Sequence, residues 1–91
     1  MNDRIDLTFV AIGYNEADSI AECIASLRQA APEGVSIEIL YVDGGSQDAS
    51  VEVATQAGAD RIPGGAKRRR AAENRNLGLQ AARGEFVQFV D

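Results

Sequence analysis

The sequence predicts an α/β protein in the order β-α-β-α-β-α-β, built on a mostly parallel sheet of four strands, Rossmann-like in arrangement. Three observations predict it. Leu7–Ile12 is a nearly continuous apolar run, the pattern of a strand buried on both faces; Ile37–Val42 reads as a second buried strand and Glu85–Val90 as a final one. The stretches between them carry helical spacing. Turn residues and helix starters follow the strand ends, most clearly at Asp43-Gly44-Gly45-Ser46.

The first strand is turned by Gly13-Tyr14-Asn15-Glu16, with Asn15 a plausible N-cap and Asp18 suited to the first turn of a helix. Ile20, Cys23, Ile24 and Leu27 then fall at i, i+3, i+4 and i+7, one apolar stripe, ended by Pro32 and Gly34. Ile37–Val42 is the second strand. A helix from about Gln47 to Ala57 follows and stops at Gly58. Ala59-Asp60-Arg61-Ile62 reads as a short third strand and Pro63-Gly64-Gly65 as a loop. Lys67 to Ala82 reads as the third helix, and Glu85–Val90 as the last strand, leading into Asp91.

Composition limits the chemistry. One cysteine, Cys23, and no histidine exclude an internal disulfide, thiolate or imidazole zinc sites, and nucleophiles activated by imidazole. Cys23 lies on the apolar stripe, where a buried structural thiol is expected. Acid–base or metal chemistry must come from carboxylates. The N-terminus is polar and acidic, unlike a signal or transit peptide, and no apolar run approaches the roughly 20 residues of a membrane span. A soluble, cytoplasmic chain is expected, or a cytoplasmic piece of a longer one. Net charge is −5, but eleven acids face two bases up to Asp60, and seven bases face three acids after it. A basic patch on an acidic chain points to an anionic ligand and away from nucleic acid, which the overall field repels.

In parallel topology the carboxyl ends of the strands share one rim, where ligands bind. Tyr14 and Glu16, Asp43 with Asp48, and Asp91 fall there. Asp43 is either a turn residue bonding its own backbone or an acceptor for a nucleobase N–H or ribose hydroxyls. Tyr14 is an edge aromatic or a base-stacking ring; Glu16 is a first-turn acid or a ribose ligand. Gly44-Gly45 matches neither the G-x-G-x-x-G fingerprint nor the Walker A pattern. Arg75 shares a stripe with Ala72 and Leu79, and with Ala71, Gly78 and Ala82, so it is expected to face the sheet and need a partner. Lys67–Arg70 at the start of a helix calls for anionic compensation or solvation.

Taken in order, Val10-Ala11-Ile12-Gly13-Tyr14-Asn15-Glu16, Val42-Asp43-Gly44-Gly45-Ser46-Gln47-Asp48-Ala49-Ser50, and Arg75-Asn76-Leu77-Gly78 through Gly84-Glu85-Phe86 to Phe89-Val90-Asp91 resemble the N-terminal half of family 2 glycosyltransferases. The resemblance implies a truncated GT-A domain over residues 1–91, the nucleotide-binding half of a longer protein. It implies a nucleotide-diphospho-sugar donor, UDP-sugar foremost, with Tyr14 packing on the base, Asp43 bonding it, Glu16 near the ribose and Arg70 near the base or phosphates. Asp91 would be the first acid of the D-x-D motif. The same resemblance implies a divalent metal, Mn²⁺ or Mg²⁺, and inverting transfer to an acceptor. Gly13 departs from the proline common in the family. The later D-x-D acid, the catalytic base and the acceptor half fall past Asp91, so the isolated chain is expected to be inactive. The alternative is a non-catalytic chain that self-associates as a homo-oligomer through exposed sheet surface.

Overall fold

The computed structural model describes residues 4–90. The elements are β1 (Leu7–Gly13), α1 (Ala17–Ala30), β2 (Ile37–Asp43), α2 (Ser50–Ala57), α3 (Ala71–Ala81) and β3 (Phe86–Val90). The sheet runs β2-β1-β3, and both pairings are parallel. Strand β1 is central, with Gly13 opposite Asp43 at one end and Leu7 opposite Ile37 and Phe86 at the other.

Successive strand residues point to opposite faces, so each apolar run feeds two cores. Phe9, Ala11, Ile39 and Tyr41 pack with Ile20 and Ile24 of α1 and Ala54 of α2. Val10, Leu40 and Val42 pack with Leu77 and Ala81 of α3. The stripe Ile20-Cys23-Ile24-Leu27 meets the first core as its spacing requires, and Cys23 is half-buried there. Burial and the nearby Glu16 carboxylate push the Cys23 thiol up, so it stays protonated.

The described residues contain three strands, not four. Ala59–Ile62 forms a single parallel bridge, Leu40 with Arg61. It begins as a strand should: Asp60 N–H donates to Ile39 O at 2.7 Å and Tyr41 N–H to Arg61 O at 3.2 Å. The ladder then stops. Pro63 has no N–H to give, and Gly64 and Gly65 take positive φ of 75° and 59°, which turns the chain away. The Asp60 side chain also takes the Ile39 N–H at 2.7 Å, a side-chain substitute for a strand carbonyl.

The helices begin later than their sequence patterns suggest. Helix α2 starts at Ser50 rather than near Gln47, and α3 at Ala71 rather than Lys67. The basic run therefore precedes the positive helix end, and the Glu73 carboxylate accepts the Arg70 N–H at 2.8 Å. Asn15 does not cap α1; Glu16 occupies that position. Arg75 is not buried against the sheet: it is exposed, its guanidinium 5.6 Å from the Phe89 ring centroid. The face that α3 buries carries Asn74 and Gly78.

Gly78 explains that rotation. A Cβ there would lie 2.4 Å from Val10 Cγ1, so the helix can sit this close only without one. Gly78→Ala is expected to destabilise by about 1–2 kcal/mol, overpacking outweighing the gain in helix propensity. Adding Val10→Ala should cost less in the Gly78→Ala background than in the wild type, measured by urea unfolding. A stabilised single variant would overturn the close approach.

Candidate functional site

Strands β1 and β2 deliver their carboxyl ends to one rim, and the rim is cross-tied. Gly44 N–H donates to Gly13 O at 2.9 Å, extending the sheet by one bond. Asp43, 0% exposed, anchors the turn. Its Oδ1 accepts from the Tyr41 hydroxyl at 2.8 Å and the Ser46 hydroxyl at 2.7 Å. Its Oδ2 accepts from Gly45 N–H at 3.0 Å and Ser46 N–H at 2.7 Å. Burial alone would raise this carboxyl's pKa, but those four bonds outweigh it and hold the group below the usual carboxylate range. The same contact and burial push the Tyr41 hydroxyl well above its ordinary value.

Two glycines make this packing possible. A Cβ on Gly13 would meet the Tyr41 hydroxyl at 2.9 Å. Gly45 has φ of +97°, and a Cβ there would lie 2.8 Å from Arg68 Cα.

The turn after β1 is bonded to the turn after β2. Asn15 N–H donates to Ser46 Oγ at 2.7 Å, and Gln47 N–H donates to Asn15 Oδ1 at 2.9 Å. Glu16 N–H reaches Ser50 Oγ at 2.8 Å, and Ala17 N–H reaches Asp48 Oδ2 at 3.3 Å. Asn15 takes φ of 51°, a left-handed conformation that asparagine tolerates better than most residues. Ser46 and Asp48 thus cross-link two turns as well as leading into α2.

The third wall is the segment between Pro63 and Arg70, held by Arg69. Its Nη2 donates to Asp43 O at 3.0 Å and Gly65 O at 3.2 Å, and its Nε donates to Asn74 Oδ1 at 2.9 Å. No carboxylate pairs with this guanidinium among the described residues.

These walls enclose an open cleft of about 450 Å³. Tyr14, 48% exposed, and Glu16 stand on one side; Arg68, Arg69 and Asn74 stand on the other, with Gly13 and Gly44 as floor. The Glu16 carboxylate accepts from Ser19 Oγ at 2.8 Å and also borders a second cavity of about 300 Å³ beside Cys23 and Val90.

The structure therefore brings Tyr14 and Glu16 together. Asp43 lies under the floor and is not among the cleft's lining residues. Arg70 faces a neighbouring hollow with Arg68, Arg69 and Glu73. Asp91 lies outside the described residues. No group of three His, Cys, Asp or Glu side chains that could hold a metal converges among the described residues. Asn74 and the clamp formed by Arg69 were not singled out in the sequence. Asn74 had a signal, a polar residue four before a buried glycine. Arg69 had none, since nothing local separates it from the bases on either side.

A cleft at the carboxyl rim of a parallel sheet, with an aromatic ring, a carboxylate and unneutralised guanidinium groups, suits a ligand that is partly planar and partly anionic. No helix among the described residues is long and apolar enough to cross a membrane.

Comparison with known proteins agrees with this architecture. The family model described as glycosyl transferase family 2 matches residues 8–91. The succinoglycan biosynthesis protein ExoO of Rhizobium meliloti (strain 1021) is 35% identical over 96 residues, covering 94% of this chain and 25% of that protein. The putative glycosyltransferase EpsH of Bacillus subtilis (strain 168) is 36% identical over 81 residues, covering 86% of this chain and 23% of that one. The chain spans about a quarter of the length of these relatives. Among solved structures, a mycobacterial protein superimposes with a TM-score of 0.79 at 29% identity, covering 96% of this chain and 31% of its own. Mannosyl-3-phosphoglycerate synthase from Rubrobacter xylanophilus gives 0.70 at 25% identity, covering 91% and 29%. The α/β fold is thus similar to that of GT-A glycosyltransferases, and the chain belongs to glycosyl transferase family 2.

Proposed function

We propose that this chain is the donor-binding part of a glycosyltransferase that takes a nucleotide-diphospho-sugar, UDP-sugars foremost, and that residues 1–91 act as one such unit of a longer enzyme. The observation that carries the reading is the cleft, where Tyr14, Glu16, Arg68 and Arg69 face the same space. Tyr14 stacks on the base, Glu16 accepts from ribose hydroxyls, and Arg68 and Arg69 face the diphosphate, with Arg70 reaching it from the adjoining hollow. Asp43 serves the site by fixing its floor. A direct bond from a base N–H to Asp43 requires the Ser46 hydroxyl to rotate off Oδ1. Asp91 keeps the position beside ribose and diphosphate that the family resemblance implies. A cytoplasmic location is part of the same proposal.

Inverting transfer is the expected reaction. An acceptor hydroxyl attacks the anomeric carbon, a carboxylate base takes its proton, and the nucleoside diphosphate leaves. The base is not assigned to any described residue. Charge builds on the leaving diphosphate, and preorganised cations such as Arg68 and Arg69 stabilise it. The Mn²⁺ or Mg²⁺ expected in the family would act as a Lewis acid on that group. The described residues alone do not fit it, having no converging set of three ligands.

Calorimetric titration of the chain with UDP, GDP and dTDP in the presence of Mn²⁺ tests the proposal. Binding should be weak and should drop about tenfold in Tyr14→Ala, the loss expected for one stacked base. A folded sample that binds none of the three would refute it.

One observation favours a second reading, self-association through sheet surface. Phe86, on β3, is 68% exposed, and a large exposed aromatic on a strand favours contact with another chain. Light scattering decides this: a mass that stays monomeric as concentration rises removes the reading.

A further inference from the structure

Asn74 lies on the sheet-facing side of α3 and is 4% exposed. Its carboxamide has only one possible orientation. Arg69 Nε donates to Oδ1 at 2.9 Å, and a guanidinium has donors only, so the atom facing it must be the oxygen. Nδ2 is therefore fixed on the other branch, beside Gly44, where a methyl group on that glycine would be 3.5 Å from it. The same point is 3.7 Å from Tyr14 Cβ. Asn74, Gly44 and Tyr14 all line the cleft. Among the described residues nothing accepts a hydrogen bond from Nδ2, yet no buried side-chain nitrogen or oxygen is left without a partner. Nδ2 therefore opens onto the cleft, with its N–H donors available to a ligand.

The geometry points to Asn74 as the base-reading residue of this cleft, donating from Nδ2 to a keto oxygen of the nucleobase. The inference rests on the nucleotide reading above. A base fits better than a phosphate for two reasons. The donor is neutral, while Arg68 and Arg69 on the same wall are the natural partners of negative charge. It also faces Tyr14 across Gly44, each within 3.7 Å of where a Gly44 Cβ would lie, and the Tyr14 ring is assigned to the base. Uracil, thymine, guanine and cytosine carry a keto oxygen; adenine carries none. The site should therefore favour UDP and GDP over ADP, because without a keto oxygen the buried amide loses its hydration and gains no bond in return.

The test titrates ¹⁵N-labelled chain with UDP, GDP, ADP and inorganic diphosphate, following the Asn74 side-chain amide signals and the dissociation constants. Two variants are compared. Asn74→Asp keeps an acceptor for Arg69 but has no donor when ionised; Asn74→Ala is neutral. Added charge affects every nucleotide alike, so the ratio of UDP to ADP affinity isolates the base. The expected result is that the Asn74 amide shifts with UDP, and that the ratio falls about fivefold or more in both variants, the worth of one hydrogen bond. Urea unfolding of Asn74→Asp should stay close to wild type. A ratio unchanged in both variants overturns the assignment, as does an amide signal that UDP does not move. Equal weakening of all ligands, inorganic diphosphate included, makes the contact phosphoryl and overturns it too. A wild-type chain that binds no nucleotide removes the nucleotide reading itself, and this assignment with it.

Discussion

Glu38→Ala is expected to lower the free energy of unfolding by about 3 kcal/mol while leaving the nucleotide affinity of the folded chain unchanged. Glu38 lies on β2 opposite Thr8, at the amino rim of the sheet, and is almost fully buried. Its carboxylate accepts from Thr8 Oγ1 at 2.7 Å, Arg61 Nη2 at 2.8 Å and Arg83 N–H at 2.7 Å. Thr8 Oγ1 accepts in turn from Gly84 N–H at 2.9 Å, and Arg61 also donates to Ala81 O at 2.8 Å. One buried acid thus ties β2 to β1, to the single bridge at Arg61 and to the connection from α3 into β3. Removing one partner of a buried pair leaves the others unsatisfied, which costs several kcal/mol. The lower part of that range applies because Arg61 is about one-third exposed and regains water. Urea unfolding at pH 7 measures the effect; a loss below about 1 kcal/mol would mean the network is not a main tie of the fold.

Asp43→Ala is expected to cost about as much, roughly 3 kcal/mol, and to abolish nucleotide binding as well. Four donors converge on Asp43, two of them backbone N–H groups that cannot turn elsewhere. Asp43→Asn should be milder. Its remaining oxygen can serve Gly45 and Ser46, and the Tyr41 and Ser46 hydroxyls can rotate to accept from the amide. The contrast between the two rims separates structure from function: Glu38→Ala destabilises without affecting the cleft, and Asp43→Ala destabilises and disables it. Equal nucleotide affinity in wild type and Asp43→Ala would remove Asp43 from the site.

Both acids also set the behaviour in acid. Burial pushes each carboxyl up, but the bonds they accept prevail and hold the folded-state pKa below the ordinary value. A depressed folded pKa contributes stability that is present above the unfolded value, near 4, and is lost as pH falls through the folded one. Stability should therefore decline with acid below about pH 4. The decline should be shallower in Glu38→Gln and in Asp43→Asn, each of which removes one titrating group. Urea midpoints measured from pH 7 down to about 3 test it; parallel curves would contradict the assignment.

Much of this was legible in local pattern. The apolar runs of β1 and β2 are buried on both faces because α1 and α2 cover one side and α3 the other. The spacing of Ile20, Cys23, Ile24 and Leu27 placed α1 on the core. Asp43 before two glycines marked a sharp turn at a strand end, and the structure realises the bonding to its own backbone that the sequence held open. These features are local: a strand's period, a helix's stripe and a turn's hydrogen bonds depend on residues close in sequence.

Tertiary contacts settled what local pattern could not. Ala59–Ile62 has strand composition, but Pro63 and the turned glycines end its ladder after one bridge. Two stripes through Arg75 looked suited to the sheet, yet α3 is rotated so that Gly78 meets Val10 and Arg75 lies over Phe89. Closest approach sets that rotation, and it depends on a strand sixty-eight residues away. Four consecutive bases are indistinguishable in sequence, but only Arg69 reaches the carbonyl at the end of β2 and orients Asn74. The sequence by itself determined the layers of this protein and the rim where its candidate site lies. The tertiary structure alone decided which side chains line that cleft, because a long polar side chain takes its direction from partners that only the folded chain brings within reach.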